Sequence, residues 1–404
     1  MAQIELLAPA GDMEKLETAL DFGADAVYVG GAEFGLRAQA GNFDLEALRR
    51  AGALCRERGR RLYLTLNAFL RQEELPRLQD FLEELRPLEL DAYIVSDPGV
   101  LALVRTIDPE REIHLSTQAN TTNAAAVAFW RQAGVRRVNL ARELSLEEIR
   151  QLAAATDVEL EVFVHGAMCV AWSGRCLISS ALTGRSANRG NCAQPCRWSW
   201  TLQETTRPGE HFTLEEDARG SYLFNSRDLR LLEHLPQLLA CGVKSLKIEG
   251  RMKSRYYVAA VTRVYRAAID AWRREPENWR CDPLWLEELD KVSHRPYDSG
   301  FLFPRPDAAT ETVSSRYLRS CDFVGVVLQV DDAGGLVEGR NRFLAGETLE
   351  LIGPAMRTSA FRVEAMTAAD GRPLTAAHAG YRVRMALPAG ARPGDLLRRP
   401  AAGG

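Results

Sequence analysis

Residues Leu6–Gly31 read LLAPAGDMEKLETALDFGADAVYVGG, which is an apolar run, a helix-like segment and a second apolar run. The Gly23-Ala24-Asp25 phrase before the second run is typical of a helix end that turns into a strand. Eight such runs occur in the first 250 residues: Ile4–Ala8, Ala26–Gly30, Leu62–Asn67, Ala92–Ser96, Ile113–Thr117, Arg137–Leu140, Leu160–Val164 and Ser245–Glu249. Helix-like segments such as Asp44–Gly59 and Ser145–Ala154 separate them. The alternation predicts an α/β fold of the TIM-type (β/α)8 barrel class, with a doubly wound open sheet as the alternative.

Composition excludes several classes of protein. The chain has 404 residues, of which 46% are apolar, enough for one large domain and a smaller one, or for two or three of ordinary size. Its 51 basic and 54 acidic residues give a net charge of −3, without the overall basic excess of a typical nucleic-acid-binding module. Apolar stretches are too short for a membrane span, and the N-terminus lacks a signal-like pattern, so we expect a cytoplasmic protein with no membrane partner.

One connection of the predicted barrel is unusually long. After the seventh run the next convincing helix is predicted over Asp228–Gly242, which leaves an insertion over about residues 166–227. Loops that follow barrel strands carry the active site, so the insertion is expected on the catalytic face. Residues 283–301 predict a helix and an ordered turn, and alternating strands from Phe323 predict a small antiparallel β-barrel domain. We therefore expect a barrel domain over 1–305 and a C-terminal domain over 320–400.

Four of the eight cysteines lie in the insertion, at spacings of seven, sixteen and four: Cys169, Cys176, Cys192 and Cys196. Four thiolates can hold a 4Fe–4S cluster or a tetrahedral zinc ion, and the spacing matches neither zinc ribbons nor bacterial ferredoxins. Four arginines and no acidic residue lie between Met168 and Gln203, a charge balance that stabilises an anionic cluster. The residues alone leave both metals open. The remaining cysteines are interpreted as core residues: Cys55, Cys241, Cys281 and Cys321.

Motifs along almost the whole chain resemble the collagenase-like peptidase family U32. They are Leu6–Gly31, LSTQAN at Leu115–Asn120, EVFVHGAMC and SGRCLIS within Glu161–Ser179, FNSRDL at Phe224–Leu229, LKIEGRMKSRYYVA at Leu246–Ala259 and VSHRPYDSGF at Val292–Phe301. The resemblance is strongest to a tRNA-modifying branch of the family. It implies oxygen-independent formation of 5-hydroxyuridine at the wobble position of the tRNA anticodon loop, with prephenate as the small organic acid donor. Other branches hydroxylate a ribosomal RNA cytidine or act in anaerobic ubiquinone synthesis.

The resemblance also implies a 4Fe–4S cluster on cysteines of the insertion, and hence the iron–sulfur assembly machinery as a partner, whereas a partner subunit is not required. Cys169, Cys176 and Cys192 are the ligands that it carries over firmly. Some relatives place a fourth cysteine just after the N-S-x-D-L motif, where this chain has Arg230. Cys196 is therefore expected to take the fourth place, with Cys241 as the alternative.

Polar residues at strand ends are expected to line a pocket at the barrel mouth: Asn67, Asp97, Gln118, Asn120, Asn139 and Arg142. Arg142 and Arg251 are the candidate carboxylate clamps for a dicarboxylic donor.

The candidate catalytic residues are Glu161, His165 and Glu249, the last two for proton transfer at the uracil ring. Glu161 and His165 lie four apart on one strand, so they face the same side and could form a metal pair in a peptidase. Two ligands are few for a metal, and no H-E-x-x-H or G-x-S-x-G motif accompanies them.

Local charge favours RNA despite the net charge. Between Lys244 and Arg274 the sequence has nine basic residues and only two acidic ones, Glu249 and Asp270, which gives a local charge of +7. The cysteine-bearing segment adds a charge of +4. The predicted RNA-binding residues are Lys247, Lys253 and Arg255 for phosphates and Trp198 for base stacking. In the structural alternative, the basic residues form a solvated stripe on a helix and the tryptophans pack around a cluster.

Overall fold

A computed structural model describes residues 4–37, 41–169, 171–198, 215–217, 220–222, 227–303, 317–332, 334–368 and 370–401. The chain divides into two compact units. The first comprises Met1–Leu16, Asp25–Lys253 and Arg295–Tyr317, and the second comprises Glu17–Ala24, Ser254–His294 and Leu318–Gly404. Residues 304–316 lie outside the described ranges, so the domain boundary between 305 and 320 stays a prediction.

The first unit is a closed barrel of eight parallel strands, which confirms the predicted TIM-type (β/α)8 barrel. Its strands, with those of the insertion and of the following segment, are β1 (Glu5–Pro9), β2 (Ala26–Gly30), β3 (Arg61–Leu66), β4 (Ala92–Val95), β5 (Glu112–Leu115), β6 (Arg137–Asn139), β7 (Glu159–Ala167), β8 (Glu215–Asp217), β9 (Gly220–Tyr222), β10 (Asp228–Arg230), β11 (Ser245–Ile248) and β12 (Tyr297–Asp298). The barrel order is β1 to β7 followed by β11, and β11 pairs in parallel with both β7 and β1. All eight predicted apolar runs are therefore barrel strands.

Helices lie between the strands, as predicted. They are α1 (Met13–Asp21), α2 (Leu45–Glu57), α3 (Leu75–Leu85), α4 (Pro98–Ile107), α5 (Ala124–Gln132), α6 (Leu146–Ala154), α7 (Ile178–Thr183), α8 (Leu235–Ala240), α9 (Arg255–Arg274) and α10 (Pro283–Asp290). Side-chain caps explain several starts: Asp44 accepts from the Ala47 N–H, and Ser145 forms a capping box with Glu148. None of the helices within the described residues has the length and apolar character of a membrane span.

The helix predicted from Asp228 begins later than expected. Residues Asp228–Arg230 form β10, which pairs antiparallel with the end of β7, and α8 starts only at Leu235. The Asp228 carboxylate accepts hydrogen bonds from the Arg295 guanidinium, at 2.9 Å from Nε and 2.7 Å from Nη2. These long-range contacts hold the segment extended, although its sequence continues an apolar helical pattern.

The predicted C-terminal antiparallel β-domain is confirmed in the second unit. Its strands are β13 (Cys321–Asp331), β14 (Gly334–Gly339), β15 (Phe343–Leu344), β16 (Thr348–Ile352), β17 (Thr358–Arg362), β18 (Met366–Ala368), β19 (Pro373–Leu374), β20 (Ala376–Ala377), β21 (Arg382–Met385) and β22 (Leu396–Pro400). Eight of them form one sheet in the order β17-β16-β22-β13-β14-β21-β18-β19. Helix α9 clusters with this unit by its contacts.

Candidate active site

A cavity of about 450 Å³ opens at the carboxyl ends of the barrel strands. Its lining includes Tyr28, Arg37, Arg142, Phe163, Lys247 and Arg251. Four of the lining side chains are cationic, and Glu249 is the one acidic side chain among them. This balance favours an anionic ligand in the cavity.

Arg142 and Arg251, the predicted carboxylate clamps, both line this cavity. Arg251 is 3% exposed and donates from Nη1 to Thr65 Oγ1 at 2.8 Å. Arg142 donates to the Ala167 carbonyl at 2.9 Å and lies 4.0 Å from the centroid of the Phe163 ring. In both guanidinium groups Nε is buried and has no hydrogen-bond acceptor among the described residues. A buried donor without an acceptor is costly, so a bound anion would stabilise both side chains.

Burial lowers the pKa of Arg251 to about 10, which still leaves the guanidinium cationic at neutral pH. Oε1 of Glu249 lies 3.7 Å from Nη2 of Arg37. Burial alone would raise the pKa of Glu249, but the surrounding cations, with Arg37 first among them, outweigh burial and lower it. An ionised Glu249 in the cavity can accept a proton and can orient a cationic or hydrogen-bonding group.

Glu161 lies inside the barrel, two residues before Phe163 on β7. Its Oε1 accepts from Nζ of Lys247 at 2.9 Å, its Oε2 accepts from Ser245 Oγ at 3.0 Å, and Nη1 of Arg137 lies 3.5 Å away. Burial would raise the pKa of Glu161, but Lys247 and Arg137 outweigh it and lower the pKa to about 2. Glu161 is therefore a fixed anion that holds Lys247, and it is not part of the cavity lining.

The prediction that Lys247 contacts RNA phosphates is wrong. Its side chain is directed into the barrel, where the residue is 3% exposed and paired with Glu161. Nζ also lies 4.6 Å from the Tyr28 ring centroid and 5.4 Å from that of Phe163. Lys247 is thus a cation of the cavity and not of the outer surface.

His165 is buried near the end of β7. Its Nε2 lies 3.5 Å from the Tyr297 hydroxyl, and its backbone pairs with Arg230 of β10. Glu161 and His165 thus have different partners, which argues against the metal pair that their spacing allowed. In the described part of the chain, no three His, Cys, Asp or Glu side chains are grouped to hold a single metal ion.

The expected pocket residues have mixed positions. Asn67 and Gln118 line the cavity, where the Asn67 amide donates to Ser116 Oγ at 3.2 Å. Asp97 instead caps α4 by accepting from the Gly99 N–H at 2.7 Å. Asn139 is buried with no described partner for its amide. Asn120 adopts a left-handed backbone with φ of 55° after a short turn.

Three of the four cysteines of the insertion are at least partly accessible. Cys169 is exposed, Cys192 and Cys196 are half-buried, and Cys176 is buried. The backbone of Cys176 donates to the Asn188 side chain at 3.0 Å. The pKa of Arg37 is raised chiefly by Glu249, and Tyr28, Cys169 and Cys192 are near enough to contribute.

The hydrogen-bond donors and sulfur ligands of this loop suit an anionic iron–sulfur cluster. The Gln194 N–H donates to Cys192 Sγ at 3.3 Å, and Gln194 has a left-handed φ of 57°. Backbone N–H groups directed at cysteine sulfur stabilise the negative charge of a cluster.

Cys241, the alternative fourth ligand, belongs to another neighbourhood. Its sulfur lies 4.0 Å from the Leu146 carbonyl at the start of α6, and burial raises the pKa of its thiol. A neutral thiol packed between helices is poorly prepared as a ligand. Arg230, the residue just after Leu229, lies over the Tyr297 ring with Cζ 4.8 Å from its centroid.

The proposed RNA face is smaller than the charge count predicted. Four of the nine basic residues between Lys244 and Arg274 are buried: Lys247, Arg251, Arg255 and Arg263. Arg255 is 9% exposed and donates to Thr18 Oγ1 at 2.6 Å, so its expected phosphate contact is wrong. Lys253 is half-buried, with Nζ 4.6 Å from the Tyr317 ring centroid. Trp198 is 40% exposed on the cysteine-bearing loop, and its stacking role stays a prediction.

Sequence reasoning missed Arg37, Tyr28 and Phe163 as cavity residues. Arg37 follows β2 and obeys the same strand-end rule that pointed to Asn67 and Gln118. Tyr28 and Phe163 are apolar-looking strand residues whose inward direction follows from the alternation of side chains along a strand. No sequence signal showed that their rings face cations.

The barrel with an anion-favouring mouth and a cysteine-bearing insertion after its seventh strand defines an α/β-barrel protein with its candidate active site at the carboxyl ends of the strands. The profile of peptidase family U32 matches residues 11–312, and that of the peptidase family U32 C-terminal domain matches residues 319–398. The chain therefore belongs to peptidase family U32.

Relatives of known name cover nearly the whole chain. The tRNA hydroxylation protein P1 of Bacillus subtilis (strain 168) is 40% identical over 98% of this chain and 94% of its own length. The tRNA hydroxylation protein P of Escherichia coli (strain K12) is 37% identical over 96% of this chain and 94% of its own. A protein named collagenase from Porphyromonas gingivalis (strain ATCC BAA-308 / W83) is 31% identical over 98% and 97%.

Proposed function

We propose that this chain is a tRNA-modifying enzyme that hydroxylates carbon 5 of the wobble uridine without molecular oxygen, with prephenate as the donor. Relatives named tRNA hydroxylation proteins, identical at about two residues in five over nearly full length, support the reaction class. The cavity carries the donor part of the proposal. Two buried guanidinium groups with unused Nε donors suit a small acid with two carboxylates.

Residues of the barrel would orient the reactants. Arg142 and Arg251 would bind the carboxylates of the donor, and the ionised Glu249 would accept a proton at the mouth of the cavity. His165, with Tyr297 beside its Nε2, is the second candidate for proton transfer.

We propose Cys169, Cys176, Cys192 and Cys196 as ligands of a 4Fe–4S cluster, delivered by the iron–sulfur assembly machinery. When bound, such a cluster supplies either an iron that polarises the donor or an electron carrier. The exposed Trp172 and Trp198 on the same loop would stack on unpaired bases of the anticodon loop. An enzyme of tRNA works where tRNA is, so we place it in the cytoplasm, active without a partner subunit.

The test is mass spectrometry of tRNA nucleosides from a strain that lacks this gene. Loss of 5-hydroxyuridine and its derivatives, restored by the wild-type gene but not by an Arg251→Met variant, is the expected result. Unchanged tRNA with loss of a ribosomal hydroxycytidine would move the activity to the rRNA 5-hydroxycytidine alternative. Unchanged nucleosides with a defect in anaerobic ubiquinone would assign the quinone alternative, which the charged cavity disfavours.

A peptidase is the second candidate, and the relative named collagenase is the observation in its favour. The described residues bring together no three-ligand metal site, and Glu161 is engaged by Lys247. Chelator-sensitive digestion of casein by the purified chain would support the peptidase, and intact casein would count against it.

A further inference from the structure

We propose that Lys247 is the third cation of the acid-binding site in the barrel cavity, held there by Glu161 as its positioning residue. The proposal rests on the proposed function only in taking the cavity as the donor site. It adds a residue that contacts the ligand and a second residue that acts through the first.

The first observation is the position of the ammonium group. Lys247 is buried and lines the cavity, and its Nζ lies 4.6 Å from the ring centroid of Tyr28 and 5.4 Å from that of Phe163. Among the described residues Glu161 is the acceptor of one of its three N–H donors. Donors remain for a ligand that enters the cavity.

The second observation is the crowding of positive charge on one ring. Arg142 lies 4.0 Å from the centroid of the same Phe163 ring that Lys247 approaches. Two cations that approach the same aromatic ring repel each other, and the repulsion is strong where the local dielectric constant is low. Neither Arg142 nor Arg251 has a carboxylate within ion-pair distance in the described structure. A bound anion relieves the repulsion and satisfies the buried donors together.

The third observation is the support beneath Lys247. Glu161 accepts from both Lys247 and Ser245, and Arg137 stands behind it at 3.5 Å. This network holds the ammonium at one place, which a flexible lysine stem does not do by itself. The arrangement predicts a ligand with at least two anionic groups, one for the guanidinium groups and one within reach of Lys247.

The test is the binding of prephenate, a diacid, and of phenylpyruvate, a monoacid, to the anaerobically purified full chain by calorimetry. The wild type is expected to prefer prephenate. Lys247→Met should weaken prephenate binding by about tenfold or more, as expected for a lost charge-assisted hydrogen bond, and Lys247→Arg should restore most of it. Lys244→Met, the same change at the other end of the strand, is the matched control.

Glu161 is tested by a double-mutant cycle. Glu161→Gln should weaken prephenate binding in the wild-type background but leave it unchanged in the Lys247→Met background, because Glu161 acts through Lys247. The Glu161→Gln/Lys247→Met pair also avoids an unpaired buried charge if Lys247→Met alone does not fold.

Wild-type affinity for prephenate in a folded Lys247→Met protein, or in the double variant, would overturn the inference. Failure of the wild type to bind either acid would overturn it as well. Mass spectrometry of tRNA nucleosides from cells would still test tRNA hydroxylation separately.

Discussion

The guanidinium group of Arg251 occupies the space above Gly30 that a side chain would fill. A Cβ atom at position 30 would lie 2.7 Å from Cζ of Arg251. Gly30 ends β2 beside the cavity, so the absence of a side chain there lets Arg251 reach Thr65 and the proposed donor site.

Gly30→Ala should therefore displace Arg251 and weaken prephenate binding by roughly tenfold, the range of one charge-assisted hydrogen bond. Calorimetry on the purified chain measures the effect. Gly31→Ala is the matched control, since a Cβ there meets its nearest atom at an ordinary 3.4 Å. Equal affinity in the two variants would show that the close approach at position 30 does not matter for binding.

Cys192→Ala should lower the iron and sulfide content of the anaerobically purified protein. The Gln194 N–H already donates to the sulfur of Cys192, as expected for a ligand whose negative charge is stabilised. Chemical analysis of iron and sulfide checks this expectation, with Cys281→Ala as the control outside the insertion. A full iron complement in Cys192→Ala, or a wild type that binds zinc and no iron, would contradict the proposed cluster.

Glu161 should make the stability of the protein depend on pH at the acid end. Its pKa falls from the ordinary 4.5 to about 2 in the folded state, so its stabilising effect is present above about pH 4.5 and is lost as the pH falls toward 2. The shift corresponds to about 3 kcal/mol at neutral pH. Denaturant unfolding of the wild type and Glu161→Gln should show that difference at pH 7 and a smaller one at pH 3. A constant difference would mean that the ion pair with Lys247 does not set the pKa.

Glu288 should be essential to the stability of the second unit. Its carboxylate accepts from Nη2 of Arg398 at 2.8 Å and is paired with the guanidinium of Arg263, and all three side chains are buried. Glu288→Ala would leave two buried cations without this carboxylate, at a cost of about 3–5 kcal/mol in the free energy of unfolding. Chemical denaturation measures the loss. Asp370→Ala removes an exposed partner of Arg372 and should leave stability unchanged.

The barrel was predictable because its strands are short apolar runs with helical patterns between them. The runs around Val27, Leu64 and Ile94 are buried on both faces, so their hydrophobicity is nearly continuous and easily recognised. Segment Asp228–Arg230 was harder, because the partners that make it a strand, Ala167 and Arg295, lie far away in the sequence.

The site was predictable where position along a strand decides it. Arg142 and Arg251 follow strands and line the cavity, as the barrel rule requires. The expectation that Lys247 binds RNA phosphates rests on the excess of basic residues between Lys244 and Arg274. On β11, Ser245 and Lys247 alternate toward the inside of the barrel, and on β7 the charged Glu161 lies two positions before Phe163. This pattern argues against a surface position for Lys247.

Strands β7 and β10 hold the two ends of the insertion close together. The chain leaves the barrel after Ala167 and returns at Asp228, and these two residues are paired in the antiparallel ladder with β10. The ends of an excursion of some sixty residues are thus about one strand spacing apart. Closing a loop costs only about 0.6 kcal/mol more for each doubling of its length once its ends are fixed. A change in the length of the excursion therefore adds little to the free energy of loop closure, while the barrel wall beneath it stays closed.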